Sequence, residues 1–230
     1  MRIIVISDIH SNLTAFEAII KSLPEFDLSI CLGDIVGYGP QPNEVVQRVR
    51  EFSPDVTLLG NHDHAVITGS TAGFSELASR AVEWTRQNIT KENVSYLRTL
   101  KPSTRMKIEN VEGAFFHGSP RDPLSEYVYP EISKDEVGQI MQEAEASLVL
   151  LGHTHIPMNY SIGGKMLANP GSVGQPRDGD PRASFAIITL TNGKLAFQVK
   201  RIEYDIASTA NKIIEAKLPN VLADRLVRGR

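Results

Sequence analysis

The chain has one cysteine, Cys31, one tryptophan, Trp84, and no apolar run near the ~18 residues needed to cross a bilayer. A lone cysteine excludes an internal disulfide and fits a reducing compartment. It lies mid-strand in Leu28-Ser29-Ile30-Cys31-Leu32, so it is expected to be a buried structural thiol and not a nucleophile. Charge of one sign is lacking too. The net charge of −3 and a pI near 6.1 give no general pull toward nucleic acid or an anionic membrane. The opening segment Met1-Arg2-Ile3-Ile4-Val5-Ile6 is too short for the apolar core of a signal peptide, and it runs into Ser7-Asp8 without a small-residue cleavage site. A cytoplasmic protein is expected. Repeats, linkers and low-complexity stretches are absent, so residues 1–230 are expected to form a single domain with a substantial core. The sequence sets no oligomeric state.

What is present begins with an alternation of strand and helix. The run 2–6 is wholly apolar after Arg2, as in a strand buried on both faces. Asn12 is placed to cap a helix that Pro24 helps end, and Pro42 and Asn43 open a second helix. Residues 27–32 and 56–59 read as the second and third strands, which together predict a parallel sheet with right-handed crossovers. Residues 74–100 read as two helices, and 106–108 with 111–116 as a hairpin near Asn110. Ser133 and Glu136 form a capping box before another helix. Residues 148–151 form a further apolar strand. The runs 158–161, 165–168, 184–190 and 195–201 read as antiparallel strands, with Gly163-Gly164 and Asn192-Gly193 as hairpin turns. Residues 205–218 close the chain as a helix, and the arginines at 225, 228 and 230 read as a solvated end.

Five of the six histidines fall in short polar segments, each directly after an apolar strand. The segments are Asp8-Ile9-His10, Gly33-Asp34, Gly60-Asn61-His62-Asp63, His117-Gly118 and Gly152-His153-Thr154-His155. In open α/β sheets such loops converge at the carboxyl ends of the strands. Asp, Asn and His without Cys is a nitrogen and oxygen donor set that suits Mn, Fe, Zn, Co or Ni and disfavours a structural thiolate zinc site. One ion can use Asp8, His10 and His155, and a second Asn61, His117 and His153. Asp34 is the natural bridge, because one carboxylate spans ions ~3.5–4 Å apart. A hydroxide held between two such ions is a nucleophile at neutral pH, and the ions offset charge on a phosphoryl oxygen. His62, beside Asn61, is expected to serve as general acid for the leaving oxygen, oriented and made more basic by Asp63. Taken singly, Asp8 is an ordinary helix cap and Asn61 an ordinary turn residue. Neither reading explains five complementary loops on one edge. His64 is given no role.

With these segments in this order, the chain resembles the calcineurin-like metallophosphoesterases, whose signature is DxH, GD, GNH followed by D or E, a lone His, and GHxH. The resemblance implies a four-layer αββα sandwich of two mixed sheets. It also implies the same ligand sets, with Asp34 shared, and His62 as the catalytic histidine. Two divalent transition-metal ions are implied, manganese foremost and iron, zinc, nickel or cobalt as alternatives.

The protein Ser/Thr phosphatases of that family carry GDxVDRG. Here Gly37 stands in place of that Asp and Tyr38 in place of that Arg. Leu59 stands where an Arg usually precedes GNH, and Asp63 where those enzymes have Glu. A phosphomonoester dianion would miss two guanidinium contacts that a phenol does not replace. The small prokaryotic-type branch fits better, with a phosphodiester or nucleotide-type small molecule as substrate. Arg121 and Tyr38 are candidates for substrate contact. Arg177 is another, although Arg121 and Arg177 equally suit surface pairing with Asp122 and Asp178. The segment 169–172 is expected to shape the metal edge. A non-catalytic scaffold on the same fold is the alternative, but such members typically lose His62 or a metal ligand. A DNA-repair-type nuclease wants a basic groove and further domains, which charge and length argue against.

Overall fold

The computed structural model describes residues 1–230. In chain order the elements are β1 (Arg2–Ile6), α1 (Leu13–Ser22), β2 (Leu28–Cys31), α2 (Pro42–Phe52), β3 (Val56–Thr57), α3 (Asn61–Thr68), α4 (Glu76–Asn88), α5 (Lys91–Leu97), β4 (Ser103–Ile108), β5 (Val111–Phe116), α6 (Lys134–Glu143), β6 (Leu148–Leu150), β7 (Met158–Ile162), β8 (Lys165–Asn169), β9 (Ala183–Thr191), β10 (Lys194–Ile202), α7 (Ile206–Glu215) and α8 (Asn220–Arg228).

The strands form two five-stranded mixed sheets, ordered β10-β9-β1-β2-β3 and β4-β5-β6-β8-β7. In the first, β1, β2 and β3 are parallel and β9 joins β1 antiparallel. In the second, β5, β6 and β8 are parallel, flanked by antiparallel β4 and β7. Ile3, Val5, Ile30 and Ile188 of the first sheet meet Phe115, Leu148 and Leu150 of the second in one buried cluster. The alternate residues of β1, Ile4 and Ile6, point the other way and pack with Phe16 and Ile19 of α1 and Val45 and Val49 of α2. On the far side of the second sheet, Ala114, Val149 and Leu167 pack with Val137, Ile140 and Met141 of α6. The layers therefore run helix, sheet, sheet, helix, as the resemblance implies. Cys31 is fully buried between sheet and helices, and burial pushes its thiol up to about 12.

The caps follow the sequence. Asn12 accepts from the amide of Ala15 at 3.1 Å, and Ser133 accepts from that of Glu136 at 3.2 Å. Two helices depart from expectation. The Gly-Asn-His-Asp segment, read as a loop, forms the first turn of α3, and the chain ends in a separate helix, α8, after Pro219. Leu222, Ala223 and Leu226 of α8 are buried against Ile213 and Leu218 of the α7 segment and against Ala78 and Ala81 of α4. No helix is long and apolar enough to cross a membrane.

Candidate metal centre

Every predicted segment leaves the carboxyl end of a strand. β1 delivers Asp8 and His10, β2 delivers Asp34, and β3 delivers Asn61 and His62. From the second sheet, β5 delivers His117, and β6 delivers His153 and His155. Five of these residues have left-handed backbone: Asp8 (φ 55°), His10 (48°), Asp34 (52°), His153 (68°) and His155 (62°). Such a conformation costs roughly 1–3 kcal/mol at a non-glycine residue and persists only where surroundings enforce it. The enforcement is visible in the backbone. The amides of Asp8 and His10 donate to the carbonyls of Gly33 (3.0 Å) and Asp34 (2.9 Å), and the amide of Gly174 donates to that of Asp8 (2.9 Å). Gly33 (φ 99°) lets this loop touch its neighbour, since a Cβ there would stand 2.6 Å from the Gly60 amide nitrogen.

The side chains gather into two groups, Asp8, His10, Asp34, His155 and Asp34, His117, His153, with donor atoms within 4.8 Å of one another in each. The ring nitrogens pointing away from the centre face carbonyls. Nδ1 of His10 meets Val36 O (3.1 Å), that of His117 meets Leu32 O (2.9 Å), and that of His155 meets Gln175 O (2.6 Å). His153 instead turns Nε2 to Ser125 O at 3.2 Å. A carbonyl only accepts, so each outer nitrogen carries a proton, and in a neutral ring the inner nitrogen presents a lone pair. Nε2 of His10 and Nε2 of His155 face each other as lone pairs 3.0 Å apart, and Nε2 of His117, 3.0 Å from Oδ1 of Asn61, does the same toward that acceptor once its second proton is displaced. Acceptors facing acceptors repel unless a cation lies between them. Two donors held at right angles on one ion, each about 2.1 Å away, are themselves about 3 Å apart. Oδ1 of Asp8 and Oδ2 of Asp34 are buried without a hydrogen-bond partner. The residues therefore fit divalent cations, and the polar atoms left over are those a cation would satisfy.

Electrostatics agree. Burial drives His10 down to about 4 and His153 down to about 3, and it holds His155 well below its ordinary range, so all three offer neutral rings at pH 7. Burial, reinforced by repulsion from Asp34, pushes Asp8 up to about 7. Burial also opposes charge on Asp34, yet the surrounding His117 and His62 hold its carboxyl well below the usual range. His117 moves the other way: despite burial, Asp34 and Asp8 bring it up to about 9 in the cation-free protein. Metal binding there displaces a proton.

His62 is buried and packed among His10, Tyr38 and Phe74, with ring centroids 4.8, 4.5 and 4.8 Å away. Its Nδ1 has no hydrogen-bond partner and faces Gly37 (φ 95°), where a Cβ would come within 2.5 Å of it. The expectation that Asp63 orients His62 is corrected by the geometry. Asp63 accepts from the backbone amides of Gly60 (3.0 Å), Ile35 (3.2 Å) and Val36 (2.9 Å), and no hydrogen bond joins it to the His62 ring. It ties the Asp34 loop to the start of α3. Burial drives His62 down to about 3, outweighing the opposing pull of the Asp34 carboxylate.

The centre opens into a cleft of about 640 Å³. Tyr38 lines it, and Arg177 lies over the Tyr38 ring (5.6 Å) and donates to its hydroxyl (3.1 Å). A guanidinium thus reaches this wall from another loop, although the motif position itself holds a phenol. Arg121 does not line the cleft. It is held by Glu126 (2.6 Å), Glu136 (3.4 Å) and Glu143 (3.9 Å), which removes it as a substrate contact. Asp178 pairs with Arg201, not Arg177. Arg225 and Arg230, read as a solvated end, line the cleft beside Arg177. The pattern Leu222, Ala223, Leu226 after Pro219 was the signal that would have placed them on a packed helix. Tyr127 stacks on His153 (3.8 Å) and on Tyr129 (5.7 Å) at the same cleft. The segment 169–172 braces the site as expected: Asn169 donates to Gly152 O (2.7 Å), and Ser172 donates to Asp8 O (2.7 Å).

Comparison with known proteins gives one consistent picture. A family model described as the calcineurin-like phosphoesterase superfamily domain matches residues 1–193. An uncharacterised protein of Methanocaldococcus jannaschii is 36% identical over 247 aligned positions, covering 99% of this chain and 98% of that protein. A metallophosphoesterase from Sphaerobacter thermophilus has a structure similar to this one, with a TM-score of 0.84 and 37% identity, over 100% of this chain and 99% of the other. A hypothetical protein from Pyrococcus horikoshii shares the fold, with a TM-score of 0.89 at 23% identity, covering 100% and 98% of the two chains.

Proposed function

This chain belongs to the calcineurin-like phosphoesterase superfamily, and on that premise we propose that it hydrolyses phosphate esters at a two-metal centre, with phosphodiester or nucleotide-type small molecules as substrates. The observation that carries the reading is Asp34. Its Oδ2 is buried without a hydrogen-bond partner and lies 3.5 Å from Nε2 of His10 and 3.5 Å from Nε2 of His117, between the two ligand groups. Asp8, His10, Asp34 and His155 would hold one ion; Asp34, Asn61, His117 and His153 would hold the other. When bound, such ions supply an activated water and offset charge on the phosphoryl oxygens. The donor set suits manganese, iron, zinc, cobalt or nickel.

The chain's own groups do the rest. His62 lines the cleft with Nδ1 against Gly37 and no acceptor there; protonated to the imidazolium beside a bound phosphate anion, the ring would give its Nε2 proton to the leaving oxygen and be left neutral. Tyr38 and Phe74 fix that ring in place. Arg177, hydrogen-bonded to Tyr38, contacts the scissile phosphate in place of the arginine absent from position 38. All seven proposed ligands and His62 are present, which weighs against the scaffold alternative.

The test is hydrolysis of bis-p-nitrophenyl phosphate and of diphenyl phosphate with Mn²⁺, comparing wild type with His62→Ala. Turnover should require metal. Loss of the proton donor should lower kcat by about 100-fold or more on the phenyl ester, whose leaving oxygen is the more basic, and by less on the nitrophenyl ester. Equal activity of the variant on both esters would remove His62 from the mechanism. Silence of the metal-loaded wild type on a broad panel of esters would remove the hydrolase reading.

A further inference from the structure

The cleft above the metal centre is lined by three arginines, Arg177, Arg225 and Arg230, and by no Asp or Glu, in a protein whose net charge is −3. None of the three makes an ion pair; the other arginines without one (Arg2, Arg80, Arg86, Arg98, Arg105 and Arg228) are all exposed, whereas Arg177 and Arg225 are partly buried. Arg177 is partly buried, and its side chain bonds only to Tyr38 and the Gln175 amide oxygen. Arg225 lies on the last helix, whose apolar face is buried against α4 and the α7 segment, and Arg230 lies two residues beyond it, its amide donating to the Arg225 carbonyl (3.1 Å), so their backbone is fixed relative to the cleft. Gathering three uncompensated guanidiniums around one cavity is unfavourable unless an anion is bound there. Arg177 stands nearest the metal centre, through Tyr38 and His62. That leaves Arg225 and Arg230 free for a different charged group.

We propose that Arg225 and Arg230, with Arg177 between them and the metals, clamp a second phosphate of the substrate, so that the preferred substrate is a phosphate ester carrying at least one phosphate besides the scissile one. This rests on the phosphoesterase reading above. Guanidinium forks match phosphate oxygens bidentately, and each such charge-assisted contact favours the bound state by about tenfold or more. Both arginines lie beyond residue 193, where the family match stops, so the clamp is a feature of this chain's C-terminal helix and not of the shared motifs.

The test is calorimetric binding of tripolyphosphate, and separately of citrate, to protein stripped of metal and dialysed, for wild type, Arg230→Gln, Arg225→Gln/Arg230→Gln and Arg228→Gln. Arg228 is exposed on the same helix but does not line the cleft, and it controls for net charge. Wild type should bind tripolyphosphate more tightly than citrate. Arg230→Gln should lose about tenfold and the double variant about 100-fold, with Arg228→Gln within about twofold of wild type. Undiminished binding by the double variant, an equal loss in Arg228→Gln, or citrate bound as tightly as tripolyphosphate would overturn the clamp. Because no metal or turnover is involved, failure of ester hydrolysis with tripolyphosphate binding intact would overturn the hydrolase reading and leave the clamp standing.

Discussion

Gly37 shows how narrowly a single position is constrained. It has φ 95°, and the room a Cβ would need is taken by the His62 ring. Gly37→Ala therefore meets both a strained backbone and a collision with Nδ1. The expected outcome is loss of turnover comparable to His62→Ala with bound metal retained, measured by ester hydrolysis beside elemental analysis; full activity would mean that His62 does not need its present position. The residue identities at this scale were legible in the sequence. Asp8, His10, Asp34, Asn61, His117, His153 and His155 all converge where the pattern placed them. Their left-handed backbone was not legible, because Asp and His sit in many ordinary turns and the enforcing hydrogen bonds come from distant carbonyls. The carbonyls of Leu32, Val36, Ser125 and Gln175 that set the imidazole tautomers were equally hidden, since every residue has one.

At the scale of elements, α3 is only eight residues long, begins at a glycine without a side-chain cap, and places a proposed ligand in its first turn. Nothing in that segment has the apolar periodicity by which α1 or α6 is found. Asp63 ties α3 to the Asp34 loop, so Asp63→Ala leaves three backbone amides without their acceptor. Each such loss costs about 1–3 kcal/mol. The variant should be destabilised by about 3 kcal/mol or more, and Asp63→Asn, which keeps an acceptor oxygen, by less; denaturant melts of the two distinguish them. Equal stability of Asp63→Ala and wild type would mean that water replaces the carboxylate. The strands were legible because their apolar runs are bounded by Gly, Pro and Asn. α8 was not legible because Arg225 and Arg228 read as a solvated end, while Leu222, Ala223 and Leu226 bury its other face.

Across the whole molecule, Asp8, His10, Asp34 and Asn61 come from one sheet and His117, His153 and His155 from the other. Bound ions would therefore join the two sheets, and their removal should be felt globally. For a site held at a free-metal concentration of about 100 times Kd, stripping removes about 2.7 kcal/mol per ion, or roughly 5–10 °C in Tm for a chain of this size. Calorimetry with and without chelator reads this; an unchanged Tm would mean that no ion bridges the sheets. The stripped protein should also weaken on acidification. His10, His62, His153 and His155 have folded values below their ordinary 6.5, with His10 at about 4 and His62 and His153 at about 3, so unfolding takes up protons as pH falls below 6.5. Asp8 and Asp63, raised from 3.8 to about 7, act oppositely over that window, but two groups oppose four. His117, raised from 6.5 to about 9, gives its full stabilisation only below 6.5 and loses it as pH rises through 9, so it too opposes the four between pH 7 and 6.5 without outweighing them. Tm should fall from pH 7 to pH 5, and a flat or rising profile would contradict the buried neutral histidines. The placement of α8 has an evolutionary consequence. The proposed metal ligands and His62 are encoded before residue 156, while Arg225 and Arg230 come after four further strands and a helix. Mutation, truncation or exchange of the tail can therefore change what a descendant of this protein accepts while leaving its reaction intact, so lineages with identical motifs should diverge first in their last thirty or so residues.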